Sequence, residues 1–198
     1  MKVPVLRSNE IRSNAESFTL KYNPKYDCPV LIENIANTSL DLSIFPVKDF
    51  HKITGYDGTI SQDFKSILVD QDIYMKVYKR ARFTIAHEIG HLVLHSNLFD
   101  AGKTKPPMQN FIDYQNSVSV TDWSNLEKQA FLFAQEVLMP HDIYMEAAEL
   151  EISKLGGIGQ VVVTDLESIL SKLSCIFDVS TGAVWHKLKY EYPSLNNL

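Results

Sequence analysis

Cysteine is scarce in these 198 residues: Cys28 and Cys175 are the only two, far apart and without a Cys-x-x-Cys pair. That excludes a disulfide framework and a thiolate metal cage, and reads as ordinary buried thiols in a reducing cytoplasm. Long apolar runs are missing as well. No stretch reaches the roughly 18 apolar residues that a membrane helix needs, and Arg7, Glu10 and Arg12 interrupt any N-terminal signal sequence. Nor is positive charge in excess. Lys and Arg number 19 against 24 Asp and Glu, a net charge of −5, which leaves no electrostatic footprint for nucleic acid. The glycines of Gly156-Gly157-Ile158-Gly159 lack the Lys-Ser/Thr and the spacing of a phosphate-binding loop. These absences leave a cytoplasmic protein that touches neither membrane nor nucleic acid directly.

What the chain does have is His87-Glu88-Ile89-Gly90-His91. Residues four apart lie on one face of a helix, about one turn from each other, so two imidazoles at that spacing reach a single metal ion. Glu88 falls beside the metal, placed to accept a proton from a water that the metal acidifies. This is the HExxH arrangement of zinc hydrolases. The surroundings favour a helix over Arg82–His95. At about 100° per residue, His87, Glu88, His91 and His95 share one arc while Ile85, Ala86, Ile89, Leu92 and Val93 take the other side. The bland alternative is an amphipathic helix with surface histidines.

A catalytic zinc takes a third protein ligand and keeps a position open. His95 lies roughly 12 Å along the helix from His87, too far to share the metal, and reads as a helix C-terminal residue favoured by the dipole. The metzincin pattern is absent, because Leu94 and Asn97 stand where it needs Gly and His. Glu127 is the better candidate. It opens a second helical run in which Ala130 and Ala134 lie on the same side, allowing close approach of another helix. The competing reading is a capping box from Ser124 to Glu127. Asp122 and Glu136 are the next candidates.

The stretch Arg82-Phe83-Thr84-Ile85-Ala86-His87-Glu88-Ile89-Gly90-His91-Leu92 resembles the RFTxAHExGH signature of ImmA/IrrE-type zinc metallopeptidases. The run Glu127-x-x-Ala130-x-x-Phe133-Ala134-x-x-x-Leu138-Met139-Pro140 is similar to that family's second signature, whose leading glutamate is its third metal ligand. Lys65–Asp70 resembles the strand placed before the signature helix, and Phe177–Leu188 a common family ending with Lys187 in place of an Arg. The resemblance implies an α+β, zincin-like metallopeptidase domain, with a small sheet beside the HExxH helix and a helical C-terminal part. It also implies a protein substrate, a separate DNA-binding repressor whose cleavage relieves transcriptional control. On this reading His87, His91 and Glu127 hold Zn²⁺, with Mn²⁺ or Fe²⁺ also compatible, and Glu88 is the general base. The alternative is a metal-binding regulatory or toxin–antitoxin protein without efficient proteolysis. An intact Glu88 favours catalysis, because a closed structural zinc site has no use for a base.

Periodicity predicts helices over about Glu10–Tyr22 and Pro29–Asn37, broken by Asn23-Pro24. Strands are expected at Leu42–Val47, Lys52–Tyr56 and Ser66–Asp70, any edge of which could take an extended peptide. Ser96–Asp122 reads as a rim over the cleft. His141–Ile152 is helical, and two more helices run from about Asp165 and Ser180. The turn at Val179-Ser180 could pass for a DNA-binding helix-turn-helix, but plain helix packing is the simpler reading. Residues 1–152 are assigned to the metallopeptidase domain and 153–198 to an appendage. For stabilising an oxyanion, Tyr114, His141, Tyr144 and His186 are all open candidates.

Overall fold

The computed structural model describes residues 5–61, 63–98 and 119–197. The first helix, α1 (Ser8–Tyr22), buries Ile11, Ala15 and Phe18, a three-to-four-residue spacing that puts one stripe in the core. After Asn23-Pro24 a short helix, α2 (Ile32–Asn34), runs into a π-helical turn over Ile35–Ser39. Then follow β1 (Ser43–Val47), α3 (Phe50–Thr54), β2 (Gly58–Ile60) and β3 (Ser66–Asp70). The strand expected at Lys52–Tyr56 is therefore helical. Asp49 at φ 57° and Gly55 at φ 79° are both left-handed and bracket a single helical turn. The Asp70 carboxylate accepts the His51 N–H at 2.9 Å and so ties that turn to β3.

Among the described residues the strands form one sheet in the order β1-β3-β2. Strand β1 runs parallel to β3, from Ser43 opposite Ser66 to Val47 opposite Asp70, and β2 runs antiparallel, with Thr59 opposite Leu68. Strand β2 is an edge of this sheet and packs on the long helix α5 (Tyr78–His95). The approach is close at Gly58, where a Cβ would stand 2.7 Å from both the Leu68 carbonyl oxygen and the Thr84 Cγ2. Only glycine fits there. Helix α4 (Gln71–Lys76) links the sheet to α5 and is capped by Asp70, which accepts from the Asp72 and Ile73 amides at 2.9 and 3.1 Å.

Helix α6 (Val120–Leu138) packs on α5, and α1 also packs against it. Its start is capped by Ser119, whose hydroxyl accepts the Asp122 N–H at 3.1 Å. Ser124 lies inside the helix, so the Ser124–Glu127 capping box does not form. Contact between α5 and α6 is close at Gly90, where a Cβ would stand 3.1 Å from the Ala130 Cα and carbonyl oxygen. Helices α7 (His141–Ser153), α8 (Val163–Phe177) and α9 (Thr181–Glu191) complete the chain. One buried apolar cluster runs from Ile11 through Ile89, Phe133 and Phe177 to Leu195. Both cysteines are free, yet neither is buried. Cys28 is partly covered and Cys175 exposed, since α8 turns Leu166, Ile169, Leu173 and Phe177 inward and Cys175 away from them.

Three consecutive residues at the start of the signature stretch point three ways, as about 100° per residue requires. Arg82, 1% exposed, donates to the Val30 carbonyl at 2.8 Å and reaches Asp178 at 3.5 Å, bracing the N-terminal and C-terminal parts against α5. Phe83 faces a cleft. Thr84 packs under Gly58.

Candidate metal centre

His87 and His91 project from α5 and Glu127 from α6, and their ligand atoms all lie within 4.8 Å of one another. The two Nε2 atoms are 3.1 Å apart, Glu127 Oε2 is 3.2 Å from His87 Nε2, and Oε1 is 3.5 Å from His91 Nε2. Burial works to raise the Glu127 carboxyl, but its contacts with His87 and His91 outweigh it and hold it far below the ordinary range. For His87, burial works downward and Glu127 and Glu88 prevail, raising the imidazole. Two imidazole nitrogens and a carboxylate, converging with no Lys or Arg paired to the carboxylate among the described residues, fit a divalent ion such as zinc.

Glu88 is 6% exposed, and its Oε2 accepts the Ile60 N–H of β2 at 2.8 Å. Burial raises its carboxyl above the ordinary glutamate value, against the pull of His87 and His91. A carboxylate so tuned is a stronger base.

His95 is not a solvated dipole partner. It is fully buried, with Nδ1 3.1 Å from His91 Nδ1 and Nε2 3.1 Å from Gln129 Oε1. Burial first, then His91, push it down to about 4, so at neutral pH it carries no charge for the helix end to stabilise.

The cluster opens on a cleft of about 400 Å³ lined by Tyr56, Phe83, Trp123, Leu126 and Phe131 together with Gly58, Thr59 and Ile60 of β2. At its rim Arg80 grips Asp57 with two bonds, 2.5 and 2.7 Å, and His51 Nδ1 adds a third contact to Asp57 at 2.9 Å. An adjoining hollow of about 300 Å³ shares Phe83 and Phe131 and reaches His186 and the start of α9.

The other candidates fall elsewhere. Asp122 accepts from the Ser119 hydroxyl at 2.8 Å at the start of α6. Glu136 pairs with Lys187 at 2.8 Å on the opposite side of α6. Tyr144 is buried and donates to the Val184 carbonyl, and His141 pairs with Glu191 at 3.2 Å, so neither lines the cleft. His186 lines the adjoining hollow. Tyr114, and residues 99–118 of the expected rim, lie outside the described residues. Sequence reasoning missed the Ile60 amide, the Arg80–Asp57–His51 group and the aromatic wall. Their members are scattered through the chain and no spacing rule joins them; only the Arg82-Phe83-Thr84 start of the signature hinted at Phe83.

The family described as the IrrE N-terminal-like domain, Peptidase_M78, matches residues 47–189, which includes both helices of the cluster. The chain belongs to that family. As an M78 domain it is a metallopeptidase-like α+β unit, mostly helical with a small sheet. Among solved structures it is similar to a Mycobacterium tuberculosis transcriptional regulator, with a TM-score of 0.59 and 18% identity over 91% of this chain. A likeness at that identity concerns the fold. The chain spans 46% of that regulator's length. No curated protein matches it. Among the described residues no helix is long and apolar enough to cross a membrane.

Proposed function

We propose that this M78 domain is a zinc-dependent endopeptidase of the cytoplasm that cleaves a separate DNA-binding repressor. The convergence of His87, His91 and Glu127 within 4.8 Å, with the Glu88 carboxylate held beside them, is the observation that carries the reading. His87, His91 and Glu127 would hold the ion, which supplies Lewis acidity and a lowered water pKa when bound.

Glu88 then takes the proton of the attacking water and passes it to the leaving amine. Its Oε2 is fixed by the Ile60 N–H, which leaves Oε1 for that transfer, and its raised pKa suits it to both steps. Strand β2 lines the cleft and offers an edge along which an extended peptide can lie. Phe83, Trp123, Leu126 and Phe131 form an apolar wall that excludes water from the reacting bond. The fold likeness to a transcriptional regulator is compatible with a role in transcriptional control, while the repressor substrate itself rests on the family resemblance.

Metal analysis of the purified protein, combined with co-expression of a neighbouring repressor, tests the whole reading. Wild type is expected to contain zinc and to cut the repressor, and Glu88→Gln to keep the metal while cutting on the order of 10²–10⁴ times more slowly. Cleavage at the wild-type rate by Glu88→Gln sinks the mechanism. Metal bound without any cleavage would instead leave a metal-binding regulatory protein.

A further inference from the structure

His95 and Gln129 form a buried chain behind His91. His95 has both ring nitrogens engaged, Nδ1 with His91 Nδ1 and Nε2 with Gln129 Oε1, each at 3.1 Å, and no part of it reaches solvent. A neutral imidazole has one N–H and one lone pair, so it must donate on one side and accept on the other. The Gln129 carbonyl oxygen can only accept, which puts the His95 proton on Nε2 and its lone pair on Nδ1. His91 must then donate from Nδ1. Its own lone pair is thereby set on Nε2, the atom that stands 3.1 Å from His87 Nε2 and 3.5 Å from Glu127 Oε1.

We propose that Gln129 and His95 are positioning residues: through two hydrogen bonds they fix the tautomer and the ring angle of His91, so that its Nε2 presents a lone pair to the metal. The inference rests on His87, His91 and Glu127 being the ligands. Reversing the Gln129 amide would reverse each bond in turn and put a proton on the ligating nitrogen. Helix α6 thus serves the centre twice, with Glu127 as a ligand and, two residues on, Gln129 as the acceptor for His95. The close α5–α6 approach at Gly90 and Ala130 sets the reach of both. Partners that anchor the second nitrogen of a ligating histidine are typically worth about 10–100-fold in metal affinity.

The test needs no substrate. In the metal-free full chain, ¹⁵N NMR of the histidine rings should show His95 protonated on Nε2 and His91 on Nδ1. Zn²⁺ and Co²⁺ affinity, measured against a competing chelator, should fall roughly 10–100-fold in Gln129→Leu. It should stay near wild type in Gln129→Glu, which keeps an acceptor. A merely space-filling role would lower thermal stability in Gln129→Leu without moving metal affinity. Opposite tautomers in wild type, or Gln129→Leu binding Zn²⁺ as wild type does, would overturn the proposal. If Gln129→Leu fails to fold, the wild-type tautomers and the Gln129→Glu affinity decide. If wild type binds neither ion, the metallopeptidase reading fails by itself, while the tautomers still report on the chain of hydrogen bonds.

Discussion

Two glutamates of α6 stand nine residues apart, hence on opposite faces, and each enters a polar cluster of a different kind. Glu127 faces α5 and meets imidazoles, at 3.2 and 3.5 Å. Glu136 faces away from α5 and meets Lys187 at 2.8 Å and Arg12 at 3.4 Å; Arg12 also holds Glu191 at 2.7 Å, and Glu191 holds His141. The second cluster sets two fixed cations against two carboxylates and closes on itself. In the first, Glu88 and Glu127 converge with two histidines, and among the described residues no Lys or Arg pairs with either. A cluster that balances its own charge is architecture, whereas a carboxylate and two imidazoles that converge with no Lys or Arg among the described residues suit a metal ion.

That contrast breaks most visibly on stability. Glu136→Ala leaves Lys187, 0% exposed, without its carboxylate, and removing one member of a buried pair costs about 3–5 kcal/mol. Glu127→Ala measured in chelator should cost no more than about 1 kcal/mol, since it relieves the crowding of ligand atoms as well as losing contacts. Urea unfolding of both variants compares them directly. Equal losses would mean that the two clusters are the same kind of object.

Metal should act on only one of them. An ion that binds the folded chain stabilises it by about 2.7 kcal/mol at one hundred times its Kd. Zn²⁺ is therefore expected to raise the unfolding midpoint of wild type and of any folded Glu136 variant, and to leave Glu127→Ala unmoved. A midpoint that rises in Glu127→Ala would take Glu127 out of the ligand set.

The two clusters also differed in how far the sequence revealed them. His87, Glu88 and His91 sit within five residues, so one helical period is enough to place them on a shared face, and Glu127 follows from the small residues Ala130 and Ala134 beside it. Arg12, Glu136, His141, Lys187 and Glu191 come from four helices, and nothing local marks them as neighbours. Lys187, which stands where the family ending has an Arg, is buried with its ammonium over the Tyr144 ring, 5.3 Å from the centroid. The same limit explains the fold. Helices with a clear stripe were legible to within a few residues, but α3 read as a strand because His51 ties it to Asp70 across 19 residues. The short strand at Gly58–Ile60 was invisible because its stability comes from β3 and α5 and not from its own three residues.

Gly90→Ala probes the geometry between the two faces. A Cβ there meets the Ala130 backbone at 3.1 Å and the Phe133 ring at 3.2 Å, all parts of α6 that cannot easily yield. Overpacking of about 1–3 kcal/mol competes with a helix-propensity gain of about 1 kcal/mol for alanine over glycine. The expected net result is a loss of about 2 kcal/mol at most. Metal affinity should fall too, because Glu127 and Gln129 ride on the displaced helix. Calorimetry with and without Zn²⁺ separates the terms, and full affinity in a destabilised Gly90→Ala would show that the centre tolerates movement of α6.

Asp70 supplies a third case, a buried carboxylate held chiefly by backbone N–H groups. The His51 N–H, against burial and with help from the Ile73 and Asp72 amides, keeps it below the ordinary aspartate value. A depressed folded pKa gives stability that is present in full above the ordinary value and lost as pH falls through the folded one. Asp70→Asn still offers an oxygen to the Asp72 and Ile73 amides, but its NH₂ then faces the His51 N–H, donor against donor. A cost of about 1 kcal/mol is expected at pH 7. As pH falls through the folded pKa, wild type loses its charge and the gap to Asp70→Asn should narrow, as urea midpoints across that range would record. A gap that stays constant would assign the effect to shape instead of charge. Backbone N–H groups would then be a weaker substitute for a cation than the Glu136 cluster suggests, and the case that Glu127 and Glu88 need a metal ion would be stronger.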